Sequence, residues 1–133
     1  MKESEALAMA AAACAADELA TDILVLDLRT LSDVVDFFVI ASSSSDMHLQ
    51  AIAAGIEERL REDGAAPHHR EGDPGSRWIL LDYFDVVVHM MHPETRAFFS
   101  LEELWGDAPR TMIESKQLSV ETAEALGDDD ADD

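Results

Sequence analysis

The sequence predicts a single α/β domain, a mixed sheet of about five strands flanked by helices in two or three layers. Three observations carry this. Segments of helical periodicity alternate with short branched and aromatic runs, in the order helix, strand, strand, helix, strand, strand, strand, helix. Some of those runs are apolar almost throughout, such as Val34–Ala41 (VVDFFVIA), the pattern of strands covered on both faces. The chain has 133 residues, 47% of them hydrophobic, which suits one core.

Met1–Ala20 is Ala-rich and reads as a helix to about Leu19, with Ser4 as its N-cap. It does not read as a signal peptide. Glu3 and Glu5 outweigh Lys2, and Ala11–Cys14 lacks the Leu expected before a lipoprotein cysteine. Ile23–Leu28 and Val34–Ala41 are strands. Ser42–Ser45 offers caps for the clearest helix, Asp46 to about Glu62, where Leu49, Ile52, Ala53, Ile56 and Leu60 form a stripe that Gly64 ends. Residues 66–71 (APHHRE) read as an edge strand, and Gly72–Gly75 as a turn. Arg77–Tyr83 and Asp85–Met91 make a hairpin, rich in residues that suit a pleated surface. His92-Pro93-Glu94 breaks the second strand. A short helix from Thr95 to Trp105 follows, with Phe98, Leu101 and Trp105 on one face. The domain is placed at residues 1–109. Residues 110–133 form an acidic extension: unassigned to Ser119, a turn or two of helix over Val120–Leu126, then a disordered tail.

The net charge is −20, and Glu121–Asp133 carries seven acids and no base. Such a surface repels phosphate backbones and disfavours direct nucleic-acid binding; it suits a basic protein partner, or serves solubility alone. No apolar run has the roughly 20 uncharged residues of a membrane span. Cys14 has no partner for a disulfide, so a reducing, cytoplasmic setting is the simplest reading.

No residue set spells out a reaction. His89 and His92 stand three apart about a strand end and face opposite ways unless Pro93 turns one back, and no Cys cluster supports zinc. The serine run lacks nucleophile-elbow spacing, and Gly72 and Gly75 lack a Walker lysine. Asp82 and Asp85 bracket the hairpin turn, where carboxylates more often accept backbone N–H groups than do catalysis. Hence no cofactor, metal or catalytic residue is expected. Alternation puts Trp78 and Leu80 on one face of their strand, with Ile79, Leu81 and Tyr83 on the other. Either helices cover both faces, or part is left for a partner, for which Trp and Tyr are common anchors.

Trp78–His89 (WILLDYFDVVVH), Arg96–Trp105 (RAFFSLEELW), Asp36–Ala53 (DFFVIASSSSDMHLQAIA) and Arg70-Glu71-Gly72 closely resemble the Iojap family of ribosomal silencing factors. The resemblance runs from about Leu7 to Trp105. It implies a mixed-sheet α/β fold with a nucleotidyltransferase-like outline and no catalysis. It also implies binding to the large ribosomal subunit through its fourteenth ribosomal protein, which blocks subunit joining and represses translation when nutrients are scarce. A homodimer in the absence of ribosomes is implied too. The matching partner contacts are Trp78, Leu81, Asp82 and Tyr83, with Asp85, His89 and Arg96 behind them. The alternatives are a nucleotidyltransferase-like enzyme, which would need a Gly-Ser turn and carboxylates on one strand face, or a generic acidic adaptor.

Overall fold

A six-stranded sheet in the order β3-β4-β5-β2-β1-β6 forms the frame. The computed structural model describes residues 3–73 and 75–117. The expected helical turns over Val120–Leu126 and the acidic tail lie outside the described residues, as does Pro74 of the expected turn. The strands are β1 (Thr21–Asp27), β2 (Phe37–Ser42), β3 (His69–Glu71), β4 (Trp78–Asp82), β5 (Val86–Met91) and β6 (Arg110–Ile113). The β2–β5 pair is parallel and the other pairs are antiparallel, so the sheet is mixed.

Helices α1 (Glu3–Asp17) and α2 (Asp46–Glu62) lie on one face. The α2 stripe Leu49, Ile52, Ala53, Ile56 and Leu60 is fully buried. Its N-cap is Ser45, whose Oγ accepts from His48 N at 3.2 Å. The rest of the serine run works locally: Ser43 Oγ lies 2.7 Å from His48 Nδ1, while His48 Nε2 donates to the Glu18 carbonyl at 2.6 Å. The start of α2 is thereby tied to the end of α1. Helix α1 packs through Ala8, Ala11, Ala12, Ala15 and Ala16, whose small side chains permit close approach to the sheet and to α2. Ser4 is not its N-cap. The helix already includes Glu3, and Ser4 Oγ instead donates to Asp36 Oδ2 at 2.8 Å.

Several boundaries differ from the sequence reading: β1 runs Thr21–Asp27 and not Ile23–Leu28, and of the edge strand expected over 66–71 only His69–Glu71 forms as β3. Strand β2 starts at Phe37, because Val34 lies in an exposed loop. The helix expected from Thr95 starts earlier and is split into α3 (Pro93–Phe99) and α4 (Leu101–Leu104). Pro93 fits the first turn, where its missing N–H is not needed, and His92 Nδ1 accepts from Glu94 N at 3.1 Å as a cap. Ser100 adopts a left-handed φ of 46°, which ends α3 and redirects the chain. Finally, the sheet runs past residue 109, where the domain was expected to end: Arg110–Ile113 pairs antiparallel with β1 as β6. Ser115 Oγ then donates to the Ala20 carbonyl, and Lys116 pairs with Asp17.

Candidate aromatic face

Alternation along the strands gives the sheet two unlike faces. Ile79, Leu81 and Tyr83 of the β4 stretch, with Val86, Val88 and Met90 of β5, point into the core beneath α1 and α2. Trp78 and Leu80, with His89 and Met91 opposite them, take the other face. There the cover is partial. Leu101, Trp105 and Ala108 from α4 and its following turn pack over Leu24, Leu26, Leu28, Ile40 and Met91. α3 and α4 contribute no buried residue of their own.

Across this face runs a continuous row of rings. Trp105 meets Phe38 edge-on with centroids 6.3 Å apart, and Phe38 meets His89 at 4.6 Å. His89 lies 5.8 Å from Trp78, Trp78 4.9 Å from Phe99, and Phe99 5.0 Å from Phe98. The row passes from half-covered rings to Phe99 and Phe98, which are 52% and 73% exposed. Phe84, 63% exposed, stacks on His68 at the turn joining β4 to β5. Rings left this open forgo burial worth about 25 cal/mol per Å², which makes the row a candidate binding surface.

His89 is the polar member of the row, and it is 4% exposed. Its Nδ1 accepts from Trp78 Nε1 at 3.1 Å. Indole nitrogen can only donate, so the neutral imidazole carries its proton on Nε2. That Nε2 is buried with no hydrogen-bond partner among the described residues, an arrangement that costs about 1–3 kcal/mol. Burial also pushes the imidazole pKa down to about 4, so the ring is neutral at physiological pH.

The structure distributes the expected contact residues over separate places. Trp78 lies in the middle of the row. Asp82 is on the same face at the end of β4, where its Oδ1 accepts from Phe84 N at 2.8 Å. Asp85 is exposed in the turn, and its carbonyl accepts from Asp36 N and Phe37 N. Leu81 and Tyr83 are on the opposite face, 0% and 7% exposed beneath the helices, and cannot be touched by a partner of the folded chain. The Tyr83 hydroxyl finds no partner among the described residues, and burial raises its pKa to about 12. Arg96 is a tie within the fold. Its Nε donates to Glu102 Oε1 at 2.6 Å, and its guanidinium also bonds the Asp22 carbonyl and Ser42 Oγ. It borders a cleft of about 630 Å³ between α3 and β6. His89 Nδ1 is taken by Trp78 and His92 Nδ1 by Glu94 N, and among the described residues no three His, Cys, Asp or Glu side chains are grouped to hold a metal. Phe38 and Phe99 also belong to the row, beyond the residues expected from sequence. For Phe38 a signal existed, because alternation along β2 sends Phe37 to the helix side and Phe38 to the other.

Fold and face together define a small mixed-sheet α/β domain with one helix-covered face and one half-covered aromatic face. The chain belongs to the family described as "Ribosomal silencing factor during starvation", whose model matches residues 1–133. The ribosomal silencing factor RsfS of Bacillus subtilis is 45% identical over 109 residues, covering 82% of this chain and 92% of that one. The chloroplastic protein Iojap of Zea mays is 36% identical over 106 residues, 80% of this chain and 46% of that one. A crystal structure of a Chromobacterium violaceum protein superposes with a TM-score of 0.75 at 28% identity, covering 89% of this chain and 92% of that one.

Proposed function

We propose that this protein silences translation by docking its aromatic face on the large ribosomal subunit, at the fourteenth ribosomal protein. In that position it blocks joining of the small subunit when nutrients are scarce. The observation that supports this above all is the half-covered ring row in a chain of the silencing-factor family. The net charge of −20 suits a basic ribosomal protein as the partner. Trp78, Phe99 and Phe98 form the apolar centre of contact, with Asp82 and Asp85 at one end. Leu81 and Tyr83 serve by holding β4 in place from beneath, and Arg96 by fixing α3. The action is binding without catalysis, in the cytoplasm where subunits join. In ribosome-free protein the same face supports a homodimer.

Sedimentation with separated subunits tests this. The wild type is expected in the large-subunit pellet and to suppress formation of full ribosomes. Trp78→Ala and Phe99→Ala each remove a ring of the kind that contributes ~2 kcal/mol at an interface centre, about thirtyfold in affinity. Phe99→Ala is the cleaner probe, because the ring is half exposed and its loss leaves the core intact. Wild-type protein that stays in the supernatant rules the function out. A Phe99→Ala protein that pellets like wild type rules out the face.

A further inference from the structure

The geometry points to His89 as a positioning residue for partner binding: its Nδ1 holds the Trp78 indole in one orientation, so the ring row meets the large subunit ready-set. This rests on the reading of the aromatic face as the docking surface. His89 is nearly inaccessible and cannot itself be the contact; what it does to a partner it does through Trp78.

The placement supports that role. His89 sits on β5, whose residues are all buried and which pairs on both sides, with β2 and β4. Its ring is pinned by Phe38 at 4.6 Å and lies between its register partners Ile40 and Leu80. Trp78 opens β4, registered with Met91 and diagonal to His89, and it is only partly buried. Apolar contacts are non-directional and do not by themselves set the orientation of the indole. The Nε1–H bond to a fixed acceptor selects one orientation. Ordering a large side chain beforehand removes that cost from the binding step. A space-filling role explains less. Phe or Leu would fill the position without stranding Nε2 among apolar neighbours.

The experiment compares wild type, His89→Phe, which keeps a ring but has no acceptor, and His89→Gln, whose amide oxygen can accept again. Two readouts are taken on the full chain. The first is the indole N–H resonances of 15N-tryptophan-labelled protein, with Trp105→Phe to assign Trp78. The second is affinity for purified large subunits by co-sedimentation. The expected result is a shifted, broadened Trp78 indole signal and at least tenfold weaker binding for His89→Phe. His89→Gln should restore most of both. A His89→Phe protein whose indole signal moves while its affinity stays within twofold of wild type overturns the proposal, as does an unmoved signal. His89→Leu, a second variant without an acceptor, is read in the same way if His89→Phe does not fold. Wild-type protein that does not pellet is a different failure: it removes the docking function and this role with it.

Discussion

His89 shows how one buried side chain writes itself into the pH dependence of stability. Its pKa falls from the usual 6.5 to about 4 on burial. Between those values the unfolded chain takes up a proton that the folded chain refuses. The contribution is therefore complete above pH 6.5 and is lost as pH falls towards 4, by ~3 kcal/mol at most. Asp17 and Asp27 are held below the usual carboxylate range by hydrogen bonds from Lys116 and Arg29, so their contributions go at lower pH. Thermal midpoints measured from pH 7 to 5 are expected to fall more steeply for wild type than for His89→Leu. Parallel curves would mean that His89 is not a buried neutral ring. Leu81 and Phe99 form a second contrast. Leu81→Ala empties a fully buried site and should cost about 2–5 kcal/mol, whereas Phe99→Ala should change stability by less than ~1 kcal/mol while weakening binding. Denaturant melts of the two variants decide this, and equal losses would contradict the face assignment.

At the scale of elements, the start of β4 depends on the turn that leads into it. Gly72 has a φ of +115°, and a Cβ there would lie 2.9 Å from both the Ile79 Cα and the Trp78 carbonyl oxygen. Gly72→Ala therefore meets backbone strain and a backbone collision together. It is expected to lower stability by ~2 kcal/mol or more and to displace Trp78. A melt unchanged from wild type, with unaltered tryptophan emission, would refute it. Strand β6 is the other dependent element. It covers the outer edge of β1, and Ser115 and Lys116 fasten the chain beyond it to Ala20 and Asp17. Ending the chain after Pro109 should lower the thermal midpoint by several degrees and expose β1 as a sticky edge, seen as aggregation in light scattering. A truncated chain that melts and stays monodisperse like the full one would show β6 to be an ornament.

For the whole molecule, charge is the dominant global term. Among the described residues six bases are paired with carboxylates: Arg29 with Asp27 and Glu5, Arg59 and Lys116 with Asp17, Arg70 with Glu57, Arg77 with Glu94 and Arg96 with Glu102. With a net charge of −20, the remaining acids repel one another in the compact state. Raising sodium chloride from about 0.01 to 1 M shortens the screening length from ~30 to ~3 Å and is expected to raise the thermal midpoint. Binding to a basic partner should weaken over the same range. A midpoint that falls with salt would mean that the ion pairs outweigh the repulsion.

Much of the fold was readable because it rests on local physics. The α2 stripe, the alternation that separates Trp78 from Ile79 and Leu81, and the β4–β5 hairpin each follow from the spacing of apolar residues in a short window. The family was readable too, from long ordered motifs. Other features come from groups far apart in sequence. Strand β6 exposes most of its residues and has no apolar pattern; β1 recruits it through backbone bonds. The break at Ser100 comes from a left-handed residue that propensity does not foresee. Alternation says that β4 has two apolar faces, but not which one is covered. That was decided when α1 and α2 packed on the same side. Their packing took Leu81 and Tyr83 into the core and left Trp78 half open beside Phe99, a ring 21 positions along the chain. Sequence alone determines the periodicities and which residues can share a face. Only the tertiary structure decides which face meets solvent, because burial depends on what packs opposite.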